Sequence, residues 1–194
     1  MSQISIEPAT PARFADVQLT WAGGGDGRSC QCQWWTITNT EWQSTSQLER
    51  EQLFRDELDA GPVPGLIAYV GGEPAGWVRV GPRTRQRRLA RTKNFAQSRE
   101  PWDDDSVWAV SCFVVRREHR GEGLNDRLLE AAVDFARQGG ARLIEAYPLD
   151  PAEGSKKGSS SLFHGVVSTF VKAGFEEVAR PRPDLAIVAL DLRS

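Results

Sequence analysis

The stretch from Val107 to Tyr147 constrains the fold more than any other part of this sequence. Val107 to Val115 is the most apolar strand candidate in the chain, and it runs directly into Arg116-Arg117-Glu118-His119-Arg120-Gly121-Glu122-Gly123. Beyond that turn, Leu124, Leu128, Ala132 and Phe135 recur at helical spacing, and Gly139-Gly140 provides a C-cap. Arg142 to Tyr147 then reads as a second strand. A strand, a helix and a strand in that order form a right-handed crossover with parallel strands.

The flanks extend this unit. Ile4 to Glu7 reads as a strand and Ala12 to Leu19 as a helix. Ser46-Gln47-Leu48-Glu49 is a capping box: the Ser accepts from the Glu49 backbone N–H, and the Glu carboxylate reaches back. It opens a helix that stops near Gly61-Pro62. Gly65 to Val70 and Ala75 to Val80 flank Gly71-Gly72-Glu73-Pro74 as a hairpin. Residues 81–105 read as irregular, Asp150 to Ser161 as a polar loop, Phe163 to Ala173 as a helix, and Leu185 to Leu192 as a last strand. The alternation predicts an α/β protein, a mixed sheet with helices on its faces.

At 194 residues the chain is expected to form one domain, 1–194. Such a length buries roughly 70% of the unfolded surface without a disulfide or metal staple. No stretch approaches the ~20 apolar residues of a membrane span. The first residues lack the basic and apolar regions of a signal peptide, so a soluble, cytoplasmic protein without a membrane partner is expected. A net charge of −2 argues against the whole molecule binding polyanions. Three Cys, without repeated spacing, do not form a disulfide framework. Cys30-x-Cys32 with a distant Cys112 and two His makes no metal-ligand set, so no metal is expected and buried reduced thiols are the better reading.

The turn after Val115 carries the chemistry. The first turn of a helix exposes unpaired N–H groups and the positive end of the dipole. Gly121 and Gly123 let a phosphate approach those amides, and Arg116, Arg117 and Arg120 add positive charge. The spacing is not the dinucleotide fingerprint, because Asp126 stands where the third Gly belongs, and no P-loop Gly-Lys-Ser/Thr follows. Taken alone, the turn is also compatible with an ordinary strand-to-helix connection.

The segment Val114 to Leu124 resembles the acetyl-CoA-binding segment of the GNAT acyltransferase superfamily. There an apolar-x-Val strand end is followed by a Gln/Arg-x-x-Gly-x-Gly/Ala loop that opens a long helix. Here Arg120-x-x-Gly123-x-Asn125 stands in that loop. Arg142–Tyr147 and Phe170-Val171-Lys172-Ala173-Gly174-Phe175 resemble the family's next two landmarks, and the order of elements is similar as far as Leu192. Two residues depart from the pattern. Asn125 replaces the last loop Gly/Ala, and Phe170 stands where many members have a Tyr that protonates the leaving thiolate.

The resemblance implies a mostly antiparallel sheet of about six to seven strands, a central splayed parallel pair, and helices on both faces. Acceptor-side elements would occupy roughly 10–105 and the acetyl-CoA core roughly 107–175. Acetyl-CoA would be the co-substrate. Its pantetheine amides would pair with the strand edge at Phe113, Val114 and Val115, and a backbone N–H near Phe113 would polarise the thioester carbonyl. Its pyrophosphate would sit on the amides of Gly121, Glu122, Gly123, Leu124, Asn125 and Asp126, with Arg120 in the same loop.

The implied reaction is acetyl transfer to a primary amine of a small molecule or protein by direct attack. A protonated amine needs a base. Glu145 stands where several members carry one, with a carboxylate paired to a neighbouring Arg as the alternative reading. Tyr147, two residues on along the same strand face, is a substitute acid, and His164 is a further candidate. His119 reads as a surface residue.

Two features remain. Arg83 to Lys93 holds six cations in eleven residues. With no interleaved aromatics and Asp103-Asp104-Asp105 nearby, it reads as a solvated amphipathic helix with Leu89 inward rather than a nucleic-acid grip. Seven Trp is a high count, and Trp21, Trp34, Trp35 and Trp42 cluster in the part that would border the acceptor; Trp34 and Trp35 are the substrate-binding candidates, with core packing of the first helices on the sheet as the alternative reading. Two other readings stay open: a CoA-binding sensor without turnover, and a nucleic-acid- or ribosome-associated module. A homodimer also stays open.

Overall fold

The computed structural model describes residues 3–23, 26–151 and 162–193. Seven strands form one sheet in the order β1-β2-β3-β4-β5-β7-β6. These are β1 (Ile4–Pro8), β2 (Gly65–Val70), β3 (Glu73–Pro82), β4 (Val107–Val115), β5 (Leu143–Ala146), β6 (Glu176–Arg182) and β7 (Leu185–Asp191). Only β4 and β5 pair in parallel; the other neighbours are antiparallel. The expected mixed sheet is therefore present.

Its helices are α1 (Phe14–Trp21), α2 (Gly27–Cys30), α3 (Asn39–Ser44), α4 (Gln47–Ala60), α5 (Arg87–Ala90), α6 (Leu124–Gln138) and α7 (Val167–Lys172). The long α6 packs on β2, β3 and β4 through Leu128, Leu129, Ala132 and Ala136, all fully buried. On the opposite face, Val17 and Trp21 of α1 and Phe54 of α4 pack around Trp77 of β3. Both halves of the Ser46/Glu49 capping box form at α4. Thr38 and Glu41 form a second box at α3 that the sequence reading missed. Such caps contribute about 0.5–2 kcal/mol each.

Two irregularities shape the centre of the sheet. Parallel pairing joins Val107–Val110 to Leu143–Ala146 and then stops, so the rest of β4 has an edge without a β5 partner. On its other side, β4 carries a bulge, because Arg79 pairs Cys112 whereas Val80 pairs Val110, leaving Ser111 extra. A bulge re-aims the side chains that follow it. Here it turns Cys112 and Val114 toward the α1 face and Phe113 toward α6.

Three sequence expectations change. The helix expected over Phe163–Ala173 is shorter, because Gly165 adopts φ +76 and the preceding residues turn toward β4. Strand β6 was not anticipated: Glu-Glu-Val-Ala-Arg-Pro-Arg has no apolar alternation, and it is an edge strand, where Pro is tolerated. The basic run is no solvated helix. Leu89 points inward as expected, but Arg83 and Arg88 are buried with it. Most of the polar loop, residues 152–161, lies outside the described residues. Among the described residues, no helix is long and apolar enough to cross a membrane.

Candidate active site

The unpartnered edge of β4 borders a cavity of about 620 Å³, within the range of small-molecule sites. One wall is Phe113, Val114 and Val115 of β4, with Arg120 and Asn125 where α6 begins. The opposite wall comes from α1 to α3 and carries Trp21, Trp34, Trp35 and Trp42. All four Trp residues of the N-terminal cluster therefore border one cavity.

Arg88 holds that wall in place. Its guanidinium lies 3.9 Å from the Trp34 ring centre and donates to the carbonyls of Ile37 (2.9 Å) and Thr38 (2.7 Å). Arg50 covers Trp42 at 4.1 Å, and Trp34 meets Trp42 edge-on at 4.9 Å. Two cations of the neighbourhood are thus spent on rigid aromatic packing.

The turn between β4 and α6 fits an approaching phosphate. Gly121 (φ +83) and Gly123 (φ +75) have open space where a Cβ would stand. Gly123 is the α6 N-cap and offers no side-chain cap, which leaves first-turn amides to a ligand or water. Asn125 borders the cavity, and its Oδ1 has no hydrogen-bond partner among the described residues. Glu122 is exposed; Asp126 pairs with Lys172 at 2.6 Å, tying α6 to α7. Leu124 buries its side chain in the core, so only its backbone is available to a ligand.

The strand edge itself is partly engaged. The Phe113 N–H donates to the Phe163 carbonyl at 2.6 Å, so the amide expected to polarise a thioester is already paired within the chain. The Val115 carbonyl accepts from Arg120 Nε at 3.2 Å.

Glu145, Tyr147 and His164 are not at the cavity wall. Glu145 is fully buried: Oε2 accepts from Arg83 Nη1 and from Tyr147 Oη, both at 2.7 Å, and Oε1 accepts from Ser98 Oγ at 2.8 Å. The reason is β5 itself, whose parallel pairing directs Glu145 and Tyr147 into the cluster of Leu89, Phe95 and Ala109. Tyr147 stacks on Phe95 at 4.1 Å, and burial, then the Glu145 charge, push its hydroxyl well above the ordinary range. His164 stands among Trp35, Phe95 and Phe163, and burial lowers its pKa to about 4. Phe170 is fully buried between Phe113 and Phe175.

What the sequence reading missed is a thiol cluster. Cys30, Cys32 and Cys112 all border the cavity, and all three are free cysteines. Cys112 is eighty positions from Cys32, so spacing gave no sign; the signal lay in Cys112 immediately preceding the Phe113–Val115 edge. Among the described residues, no group of three or more His, Cys, Asp and Glu is arranged to hold a metal.

A splayed parallel pair beside a glycine turn and a helix N-terminus is the architecture of an acyl-CoA-dependent transferase. Residues 32–155 match the sequence profile of the acetyltransferase (GNAT) family. That span exceeds half the chain, and the chain belongs to this family and is an acetyltransferase. Solved structures share the fold. An N-acetyltransferase from Staphylococcus aureus Mu50 is 17% identical, with a TM-score of 0.58 over 99% of this chain and 100% of that one. YncA from Salmonella typhimurium, solved with its cofactor acetyl-CoA, is 17% identical, with a TM-score of 0.56 over 98% and 95%. A GNAT-family acetyltransferase from Streptococcus pneumoniae is 16% identical, with a TM-score of 0.54 over 97% and 99%. No curated protein sequence matches the chain significantly.

Proposed function

We propose that this chain, as one domain over 1–194, transfers the acetyl group of acetyl-CoA to a primary amine by direct attack. The observation that carries the reading is the continuity of the cavity, from Arg120 and Asn125 on either side of the glycine turn, along Phe113–Val115 of β4, to the Trp-lined wall. Acetyl-CoA would lay its pyrophosphate on the Gly121–Asp126 turn and its pantetheine arm along Phe113–Val115. The Phe163 carbonyl would have to release the Phe113 N–H before that amide could serve an oxyanion. The acceptor amine would enter against Trp34 and Trp35. Three free thiols suit a reducing cytoplasm.

Glu145 and Tyr147 we assign to structure: together with Arg83 they seal the interior beside β5. His164 is shielded by aromatic rings and is assigned to packing. The engaged Phe113 N–H and the apolar Phe170 favour a second reading, a CoA-binding sensor without turnover. Thiol release from acetyl-CoA across a panel of amines separates the two. Amine-dependent release supports the enzyme. Tight CoA binding without release from any amine supports the sensor.

A further inference from the structure

Proton transfer in this cavity lacks an obvious agent. Its titratable wall residues are Asp26, Cys30, Cys32, Cys112 and Arg120. Asp26 is exposed, and the Arg120 guanidinium is a hydrogen-bond donor with no acceptor atom. Cys112 directly precedes the strand residues that would hold the thioester, and Cys30 and Cys32 line the same cavity.

Cys32 is built into an environment its neighbours lack. It follows α2 in a turn where Gln31 (φ +50) and Cys32 (φ +53) both take the left-handed conformation that side-chain-bearing residues avoid. Such strain persists where the surroundings over-determine it, and it gathers at functional sites. Here Trp77 Nε1–H donates to Cys32 Sγ at 3.3 Å, and Arg79 Nη1 donates to the Cys32 carbonyl at 3.1 Å. Arg79 is a buried cation whose counter-ion is Glu57 of α4. The Cys112 thiol, from β4, borders the same cavity as Cys32. The charged or titratable groups facing Cys32 are thus Arg79 from β3, Glu57 from α4, Cys112 from β4 and Cys30 from α2.

Resting on the acetyltransferase reading, we propose that Cys32 is the proton carrier of the reaction, taking a proton from the acceptor ammonium and returning it to the departing CoA sulfur. The Cys32 thiolate removes one ammonium proton and becomes the thiol. The freed nitrogen lone pair attacks the thioester carbonyl carbon, the N–C bond forms, and the C–S bond breaks with its electron pair leaving on the CoA sulfur. The Cys32 S–H donates its proton to that sulfur, and the second nitrogen proton passes to solvent. The products are the amide, CoA thiol and one released proton, with the Cys32 thiolate restored. This route supplies both the base and the acid that Phe170 cannot provide.

The electrostatics agree. Burial opposes ionisation of Cys32, but the neighbouring Cys112 thiol, the Arg79 charge and the Trp77 N–H outweigh it and bring the thiol to about 7. Burial and then the Cys32 charge push Cys30 up to about 11, and the neighbouring Cys32 thiol followed by burial raises Cys112. A carrier near 7 is matched to neutral pH, and the proton runs downhill to an ordinary thiol at about 8.5.

The first arm of the test needs no acceptor. Ultraviolet titration of the ligand-free protein is expected to show one thiolate forming near neutrality that Cys32→Ser lacks, and brief alkylation of the wild type should label Cys32 first. A wild type with no thiolate until alkaline pH overturns the proposal whether or not the enzyme turns over. In the second arm, with an amine that is acetylated, Cys32→Ser should lower kcat about 100-fold or more and leave the KM for acetyl-CoA within about twofold. The rise of kcat through about 7 should also disappear. A Cys32→Ser enzyme with wild-type kcat overturns the proposal, as does an acetyl thioester trapped on Cys32, or a kcat that depends on Asp26→Asn instead.

Discussion

Replacing Glu145 by Gln separates a structural from a chemical role for the most conspicuous carboxylate near the site. The change keeps the side-chain volume and removes the charge. It leaves the buried Arg83 guanidinium without its counter-ion. It also presents an amide NH2 where two oxygens now accept three hydrogen bonds, so one donor meets another. Removing one partner of a buried pair costs about 3–5 kcal/mol. Arg83 keeps its bonds to Ser98 Oγ and to the carbonyls of Glu100 and Pro101, which argues for the low end, about 3 kcal/mol. For a chain of this size, that is a fall in Tm of roughly 6–12 °C. Urea denaturation should show a lower midpoint at unchanged slope. At a temperature where the variant is fully folded, kcat should stay within about threefold of wild type. Near-wild-type stability with collapsed kcat would refute the reasoning and return Glu145 to the chemistry.

Other outcomes follow from single residues. Gly123→Ala puts a side chain on a φ of +75 in open space, so it should cost roughly 1–2 kcal/mol of stability without a clash and weaken acetyl-CoA binding. Unchanged affinity in a calorimetric titration would remove the turn from the phosphate site. His164 has a folded pKa of about 4, lowered by burial, below an unfolded value of about 6.5. Its contribution is therefore complete above about 6.5 and is lost as pH falls toward 4, at about 1.4 kcal/mol per unit. Denaturation midpoints measured across that window should fall less steeply in His164→Gln; equal slopes would mean that His164 titrates normally.

The central crossover was legible because its cues are local: an apolar strand, a glycine turn and a helical repeat from Leu124 to Phe135. The capping box at Ser46 was legible for the same reason. The site was less so, because its decisive neighbours are set by tertiary structure. Arg83 looks like one cation in a basic run, and nothing nearby in sequence announces that it will neutralise Glu145 across the sheet. Arg88 likewise reads as surface charge until the Trp34 ring covers it. The bulge at Ser111 decides which way Cys112 faces, and a bulge leaves no mark in hydrophobic alternation. Phe163 looks helical by spacing, yet its carbonyl is used to pair the free edge of β4. The Trp cluster was visible as composition, but its convergence needed the fold.

Thermal unfolding with acetyl-CoA tests most directly whether the cavity beside β4 is the site of an acetyl-CoA-dependent enzyme. Ligand at about one hundred times its Kd stabilises the folded chain by about 2.7 kcal/mol. The expected result is therefore a rise in Tm of roughly 5–11 °C. No shift at near-millimolar acetyl-CoA would contradict the assignment of the cavity to this co-substrate.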